Sequence, residues 1–150
     1  MDHLIFTPLG PMLLRERDGA VAALRFAAPG EGETTTSESD LAGRTEDWLR
    51  RYFAGEDPAM DLPLAPAGTA FQRRVWEAAR TIPYGETRSY GELARQIGCG
   101  GARAVGAALG KNPVWILIPC HRVVGSGGVL TGYAGGLDKK AALLALEKQK

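Results

Sequence analysis

Two helix-start signals in the second half of the chain constrain its fold more than any other feature of the sequence. Residues 69–72 (Thr-Ala-Phe-Gln) and 89–92 (Ser-Tyr-Gly-Glu) each place a hydroxyl side chain three residues before Gln or Glu, the pattern of a capping box. The second box predicts a short helix that ends at residues 98–101 (Gly-Cys-Gly-Gly), and another helix is predicted over 102–109. Two short helices joined by a glycine turn are typical of a helix-turn-helix.

The first half of the chain has short apolar segments separated by turn residues. Residues 4–14 and 20–27 predict two short strands, and Asp18-Gly19 between them is a strong hairpin signal. Residues 29–40 are rich in Gly, Glu, Ser and Thr without periodicity, which predicts a loop. Apolar and aromatic side chains then recur at helical spacing, so we expect a helix over 45–54.

Prolines at 58, 63 and 66 indicate a linker between two domains. We therefore expect an α+β protein. Its small N-terminal domain, residues 1–65, would combine a short antiparallel sheet with a helix. Its C-terminal domain, residues 66–150, would be mostly helical and carry the helix-turn-helix in a winged-helix-like arrangement.

Charge is divided unevenly along the chain. Residues 1–70 hold 6 Lys or Arg and 12 Asp or Glu, whereas residues 71–150 hold 12 Lys or Arg and 5 Asp or Glu. A basic second half points to a polyanionic partner. Docking of a basic half on an acidic half is the alternative, and charge alone leaves both open.

The chain has two cysteines, Cys99 and Cys120, and two histidines, His3 and His121. Four thiol or imidazole ligands at metal-binding spacing are therefore missing, and we expect neither a metal ion nor a cofactor. Unpaired thiols are typical of a reducing compartment, and the start of the sequence lacks the pattern of a signal peptide. No apolar run is long enough to cross a bilayer, so we expect a cytoplasmic protein without a membrane partner.

The second helix of the predicted helix-turn-helix, over residues 102–109, is rich in Ala and Gly and carries one charged side chain, Arg103. A helix that reads bases in the major groove usually carries several long polar side chains. Small residues instead allow close approach to the sugar-phosphate backbone, as minor-groove binding requires. A packing helix with no nucleic acid nearby is the alternative.

Residues 114–118 are an apolar run that predicts a strand, which Pro119 ends just before Cys120. In Cys120-His121-Arg122 a thiol lies beside an imidazole and a guanidinium, and such an electropositive setting lowers the pKa of a cysteine and favours the nucleophilic thiolate. A small buried residue followed by two surface residues is the structural alternative, and these residues alone do not decide between the two.

The run over residues 112–124 (Asn-Pro-Val-Trp-Ile-Leu-Ile-Pro-Cys-His-Arg-Val-Val) closely resembles the active-site segment of the O6-alkylguanine-DNA alkyltransferases. Its most specific motif is Pro-Cys-His-Arg with Asn-Pro upstream. The resemblance is dense over residues 69–147, about half of the chain, and weak in a Thr-Pro-Leu-Gly hairpin at 7–10. The other matching segments are Ser89-Tyr90, residues 102–106, residues 133–137 and Glu147.

This resemblance implies direct, irreversible repair of O6-methylguanine, and of O4-methylthymine, in double-stranded DNA. In the family the damaged nucleotide is flipped out of a duplex bound through the minor groove, and the cysteine takes the alkyl group in one displacement. Because the thioether is not regenerated, each molecule would repair one lesion. We expect a monomer, with cooperative assembly on DNA left open.

The family's catalytic roles match four positions. Cys120 would be the nucleophile and alkyl acceptor, His121 would take its proton through a water, and Glu147 would hold the imidazole in the required tautomer. Tyr90 matches the tyrosine that donates a proton to the guanine ring as negative charge develops there. Without the resemblance, Glu147 is an ordinary residue of a helix surface and Tyr90 a half-buried aromatic.

Six further positions match residues that bind DNA or support the site. Arg103 matches the arginine that fills the gap left by the flipped base, and Asn112 would brace the turn that presents Cys120. Val123 matches the position whose carbonyl accepts the amino group of guanine. Main-chain groups around three residues of the following loop would also contact the base: Tyr133, Ala134 and Gly135.

Trp115 stands where some members carry a smaller residue or proline, so we expect it to hinder benzyl adducts more than methyl adducts. Some relatives hold zinc in the N-terminal domain, where this chain offers only His3, and we expect no metal there. The alternatives are a lesion-binding protein without activity, which in the family lacks the cysteine, and a cysteine hydrolase. The small side chains over 102–109 disfavour a sequence-specific transcription factor.

Overall fold

The computed structural model describes residues 2–31, 39–98, 100–133 and 135–148. The chain divides into two compact units, Met1–Ala67 and Gly68–Lys150. The first unit combines a sheet with a helix, and the second is mostly helical. The predicted α+β class is confirmed.

The sheet of the first unit has three antiparallel strands in the order β1–β2–β3, with β1 at Asp2–Thr7, β2 at Gly10–Arg17 and β3 at Ala20–Phe26. The segment 4–14, predicted as one strand, forms two strands that meet at the hairpin noted over 7–10, because Pro8 and Leu9 form a two-residue turn and the chain reverses there. Asp18 and Gly19 join β2 to β3 with φ of 52° and 78°. Positive φ at both positions is what the Asp-Gly hairpin signal predicts.

Helix α1 spans Asp40–Phe53 and begins earlier than predicted, at the end of the segment expected to be a loop. Ser39 caps it, because its Oγ accepts a hydrogen bond from the backbone N–H of Ala42 at 2.9 Å. Thr45 is buried and its hydroxyl donates to the carbonyl of Leu41 at 2.8 Å. A polar residue at a buried position hides the first turn from a search for apolar spacing.

The proline-containing segment predicted as a linker packs instead along β3. The backbone N–H of Val21 donates to the carbonyl of Pro63 at 2.8 Å, and the N–H of Ala65 donates to the carbonyl of Val21 at 2.9 Å. Leu62, which precedes Pro63 in the chain, is buried. The segment therefore belongs to the first unit rather than joining two units as a free tether.

The described residues of the second unit form four α-helices: α2 at Ala70–Arg80, α3 at Tyr90–Ile97, α4 at Gly101–Gly110 and α5 at Leu137–Lys148. Both predicted capping boxes form, with Thr69 and Ser89 as the N-caps. Helices α2, α3 and α4 pack together, and the indole N–H of Trp76 donates to the carbonyl of Ala108 at 2.8 Å. The predicted helix-turn-helix corresponds to α3 and α4. Cys99, in its turn, lies outside the described residues.

Residues 114–118 form a buried loop, so the predicted strand is wrong. Trp115 and Ile118 pair with each other in a single bridge, and Ile116 between them has φ of 70°. A β-branched residue rarely adopts a positive φ, which costs about 1–3 kcal/mol and persists where the surrounding structure holds it. The prediction failed because the buried apolar side chains of this loop give it the same composition as a buried strand. Its short reversal carries the chain directly into Cys120.

Two short strands of the second unit pair in parallel. One is β4 at Arg88–Ser89, directly before α3, and the other is β5 at Val123–Val124, after the loop. This pair joins the start of α3 to the segment that carries Cys120. Among the described helices, none combines the length and the apolar character that a bilayer span requires.

Candidate active site

Cys120 opens a 3₁₀ turn, Cys120–Arg122, at the end of the buried loop. Its side chain is 6% exposed and lies at the wall of a cavity of about 140 Å³. Other described residues that line this cavity are Tyr90, Gly106, Leu109, Gly110, Asn112, Trp115, Gly132 and Tyr133. The structure thus places a thiol beside a small enclosed space with aromatic walls.

Asn112 holds the loop and the thiol together. Its Nδ2 lies 3.0 Å from Cys120 Sγ, 3.1 Å from the carbonyl of Val114 and 3.3 Å from the carbonyl of Ile118. Its Oδ1 accepts the N–H of Val114 at 2.9 Å. One buried amide therefore braces both ends of the loop and donates to the sulfur.

Burial raises the pKa of the Cys120 thiol to about 12, while the hydrogen bond from Asn112 and the charge of Lys140 act in the opposite direction. The sequence left open whether the neighbouring imidazole and guanidinium activate this thiol, and in the structure burial outweighs them. The reason is tertiary, because Arg122 turns toward another partner and His121 is itself buried. The thiol is protonated at neutral pH, so nucleophilic chemistry needs a base.

His121 and Glu147 form a buried pair. Nε2 of His121 lies 2.7 Å from Oε2 of Glu147, and both side chains are almost fully excluded from solvent. Burial lowers the pKa of His121 although the carboxylate raises it, so the imidazole is neutral at pH 7. A neutral imidazole donates to a carboxylate through the nitrogen that faces it, so Nε2 carries the proton and Nδ1 the lone pair.

Glu147 is held by more than the histidine. Arg122 donates from Nε to Oε1 at 2.8 Å and from Nη2 to Oε2 at 3.1 Å, and its Nη1 donates to the carbonyl of Ile82 at 2.8 Å. Burial acts to raise the pKa of Glu147, but the hydrogen bonds from His121 and Arg122 prevail and lower it to about 2. The carboxylate is therefore ionised and fixed in orientation.

Lys140 is a buried cation that sequence reasoning missed. Its Nζ donates to the carbonyls of Val123 at 2.6 Å, Thr131 at 2.8 Å and Gly132 at 3.3 Å. Burial lowers its pKa to about 8, while Cys120 acts to raise it. The ammonium thus ties α5 to both segments that flank the cavity and supplies positive charge near the sulfur.

Spacing along α5 is the signal that could have found Lys140. The buried residues of α5 are Lys140, Leu143, Leu144 and Glu147, which recur at helical intervals on one face. Charged residues are almost never fully buried without a partner, so two of them on an apolar stripe indicate a polar network. The same reasoning points to Glu147 without reference to any family.

Tyr90, the first residue of α3, places its hydroxyl at the cavity. Its Oη donates to the carbonyl of Thr131 at 2.9 Å and accepts from the hydroxyl of Thr131 at 3.3 Å. Its ring faces Gly106 of α4, where an added Cβ would lie 3.7 Å from the ring. At that distance an added methyl group would make ordinary van der Waals contact with the ring, so Tyr90 packs directly against α4.

The remaining predicted site residues are distributed more widely. Val123 follows the 3₁₀ turn, and its carbonyl accepts from Lys140. Tyr133 lines the cavity, and Gly135 follows it closely in the chain, whereas Ala134 lies outside the described residues. Arg103 is exposed on the first turn of α4 and does not line the cavity. No group of three or more potential ligands for a metal ion occurs among the described residues.

Known proteins are similar to this chain in sequence and in fold. A family model described as the DNA-binding domain of 6-O-methylguanine DNA methyltransferase matches residues 70–149. A methylated-DNA–protein-cysteine methyltransferase of Mycolicibacterium paratuberculosis is 51% identical over 148 residues, which are 95% of this chain and 89% of the relative. The namesake from Shigella flexneri is 55% identical over 163 residues, covering 98% of this chain and 95% of its own.

A solved structure extends the similarity to the fold. The crystal structure of Mycobacterium tuberculosis OGT in complex with DNA has a TM-score of 0.87 and 49% sequence identity, and covers 99% of this chain and 92% of that one. A family model that matches more than half of the chain and relatives about half identical along nearly all of it agree with the resemblance in residues 112–124. The chain therefore belongs to the 6-O-methylguanine DNA methyltransferase family, the methylated-DNA–protein-cysteine methyltransferases.

Proposed function

We propose that this protein repairs O6-methylguanine in double-stranded DNA by taking the methyl group onto Cys120, once per molecule. The observation that carries the proposal is a buried thiol at the wall of a small cavity, followed directly by a histidine that a buried carboxylate orients. Nucleophile, base and orienting group in this order are what a displacement by a weakly acidic thiol needs.

The first step is removal of the thiol proton. Because burial raises the pKa of Cys120 to about 12, very little thiolate exists at neutral pH. The Nδ1 lone pair of His121 takes this proton through a water, and Glu147 stabilises the imidazolium that forms. Asn112, at 3.0 Å from Sγ, and the nearby charge of Lys140 stabilise the thiolate.

The second step transfers the methyl group. The Sγ–carbon bond forms as the carbon–O6 bond breaks, and the bonding electron pair passes to the guanine ring. The hydroxyl of Tyr90 gives up its hydrogen bond to the carbonyl of Thr131 and donates its proton to a ring nitrogen of the base, which offsets the developing negative charge. The proton held by His121 then returns to the Tyr90 oxygen through solvent, so in the net reaction the thiol proton replaces the methyl group on guanine and the reaction balances without a cofactor.

The damaged base reaches the cavity by flipping out of a duplex bound through α3 and α4. Ala and Gly on α4 allow close approach to the minor groove, and exposed Arg103 fills the space that the base leaves. Main-chain groups of Val123 and of the loop around Tyr133, Ala134 and Gly135 contact the flipped base. The carbonyl of Val123 already accepts from Lys140, and its second lone pair serves the amino group of guanine.

The same displacement acts on O4-methylthymine, since it presents a methyl group on an exocyclic ring oxygen. The protein works as a monomer, because one molecule contains every group that the two steps use. These groups all lie in the second unit. A reduced catalytic thiol is suited to a reducing compartment, which supports a cytoplasmic location.

Intact-protein mass spectrometry tests the proposal directly. After incubation with a duplex that carries one O6-methylguanine, we expect the protein to gain one CH₂, located on Cys120 by peptide mapping. An otherwise identical duplex with unmodified guanine is the control and should produce no gain. Tight binding to the lesion without a gain in mass would instead establish a lesion-binding protein.

Binding to DNA should depend steeply on salt, because phosphate contacts release counterions. Raising the salt from about 50 to 200 mM is expected to lower affinity by at least about tenfold in a fluorescence-anisotropy titration. A lesion-free duplex should show the same slope, since its phosphates make the same contacts. Affinity that does not change with salt would contradict DNA binding through this basic unit.

Trp115 should limit the size of the adduct. Its ring packs against Tyr133 with centroids 6.1 Å apart, and its Nε1 donates to the carbonyl of Asn112 at 3.0 Å. Trp115→Ala is expected to raise the rate on O6-benzylguanine relative to O6-methylguanine by about tenfold, since it removes one wall of the cavity. Quenched-flow rates on two matched duplexes measure this ratio, and an unchanged ratio would place the size limit elsewhere.

A further inference from the structure

Lys140 and Tyr90 share one hydrogen-bond acceptor beside the cavity. The carbonyl of Thr131 accepts from Tyr90 Oη at 2.9 Å and from Lys140 Nζ at 2.8 Å. Lys140 Nζ also lies 5.8 Å from the centroid of the Tyr90 ring. Lys140 is fully buried, so bulk water does not surround its charge and screens it only weakly. One buried cation is therefore coupled both to the hydroxyl group of Tyr90 and to its ring.

The proton donation proposed above requires the Tyr90 hydroxyl to leave Thr131. A carbonyl that loses its only donor inside a protein is costly. The carbonyl of Thr131 keeps a donor after Tyr90 turns to the base, because Lys140 still donates to it. Lys140 is also held by the carbonyls of Val123 at 2.6 Å and Gly132 at 3.3 Å, so it does not follow the tyrosine. The arrangement lets the hydroxyl move while the cation stays in place.

Donation of the proton also leaves a negative charge on Tyr90. When the proton passes to the ring nitrogen of the base, the electron pair of the O–H bond stays on the Tyr90 oxygen. The resulting phenolate lasts until a proton returns through solvent, and its charge is delocalised into the ring. A cation close to that ring lowers the energy of the phenolate, and Lys140 is a cation in this position.

We propose that Lys140 is a positioning residue that stabilises the Tyr90 phenolate and thereby assists proton donation to the base. The inference rests on the proposed function and gives Lys140 a second role in it, besides stabilisation of the Cys120 thiolate. One role lowers the energy of the attacking sulfur, and the other lowers the energy of the group that protonates the departing base. Two methyl donors whose leaving groups differ in their need for a proton therefore separate the roles.

Iodomethane is the second methyl donor, because the carbon–iodine electron pair leaves as iodide and needs no proton. Methylation rates at Cys120 are measured by mass spectrometry and peptide mapping, with iodomethane and with a saturating duplex that carries O6-methylguanine. Lys140→Met removes the charge, and only the duplex reaction uses Tyr90. We therefore expect the ratio of the duplex rate to the iodomethane rate to fall by about tenfold. Lys139→Met, at the neighbouring lysine of α5, is the matched control and should leave this ratio unchanged.

A second background shows whether Lys140 acts through Tyr90. In Tyr90→Phe the hydroxyl is absent, so adding Lys140→Met should change the ratio by less than about twofold. Lys140→Gln is measured beside Lys140→Met, since it is neutral but keeps N–H donors for the three carbonyls. The same results are expected from it, so the test stands even where Lys140→Met does not fold.

Equal losses on both methyl donors would overturn the inference, because Lys140 would then act on the thiolate alone. An equal fall in the ratio with and without the Tyr90 hydroxyl would also overturn it. An unchanged ratio in Tyr90→Phe itself would remove proton donation by Tyr90, and this inference with it. Absence of transfer from the duplex, while Cys120 of the unsubstituted protein reacts with iodomethane, would overturn the proposed function.

Discussion

Cys120→Ser is expected to abolish methyl transfer while the protein still binds a duplex with O6-methylguanine. A serine hydroxyl is far less acidic than a thiol and a weaker nucleophile, and burial at this position disfavours the anion further. The rate should fall by at least about 10⁴-fold, as is typical when a nucleophile is removed. The Asn112 amide can still donate to the serine oxygen, so the loop should keep its structure. Mass spectrometry and a binding titration give the two readouts.

Cys99→Ser is the matched control, because it removes the other thiol of the chain. This variant should retain transfer with a single CH₂ gained. Transfer by Cys120→Ser together with loss in Cys99→Ser would identify the wrong acceptor. Loss of lesion binding in Cys120→Ser would show that the thiol supports the cavity as well as reacting in it.

Glu147→Gln should lower the transfer rate by about 10²-fold or more at neutral pH. Glu147 accepts from His121 on one oxygen and from Arg122 on both, so a glutamine must direct its NH₂ group at one of these donors. If the NH₂ group faces His121, the imidazole has to accept at Nε2 and its proton moves to Nδ1. A histidine in that tautomer cannot take the thiol proton, the effect seen when a catalytic aspartate becomes asparagine.

The dependence of the rate on pH separates this positioning role from a structural one. In the unsubstituted protein His121 is neutral above a lowered pKa, so the rate should not rise between about pH 7 and 9, and it should decline there as Lys140, with a pKa of about 8, loses its charge. In Glu147→Gln the thiol must ionise unaided, so the rate should rise with pH across that range. Glu147→Asp keeps the charge and should recover part of the activity. A uniform loss at all pH values, with a lower melting temperature, would instead assign Glu147 a structural role.

Local signals predicted the helices of the second unit well. The capping boxes at Thr69 and Ser89 act within four residues, so they operate in the same way wherever the helix packs. Prediction from apolar pattern failed at residues 114–118, where a buried loop and a buried strand have the same composition. It also failed at the start of α1, because Thr45, which follows Leu41 on the buried face of the helix, is polar and interrupts the apolar pattern.

Candidate catalytic residues were identified by motif, and their electrostatics were not. Pro-Cys-His-Arg predicted the nucleophile and its histidine, and the roles assigned to them stay predictions until the variants are measured. The sequence left undecided whether the neighbouring imidazole and guanidinium activate Cys120, and in the structure burial has the largest effect on the pKa of the thiol. Arg122 donates to Glu147, and the cation whose charge acts to lower the pKa of Cys120 is Lys140 of α5.

By itself, the sequence determined the helix boundaries set by caps and the Asp18-Gly19 hairpin, because each depends on residues close together in the chain. It also determined the membership of the chain in its family, which rests on a short sequence motif. Only the tertiary structure decided which groups are buried and what they face. The high pKa of Cys120, the low pKa of Glu147 and the carbonyl contacts of Lys140 come from segments far apart in sequence. Desolvation and Coulomb energy depend on distances through space, and the order of residues in a chain does not state those distances.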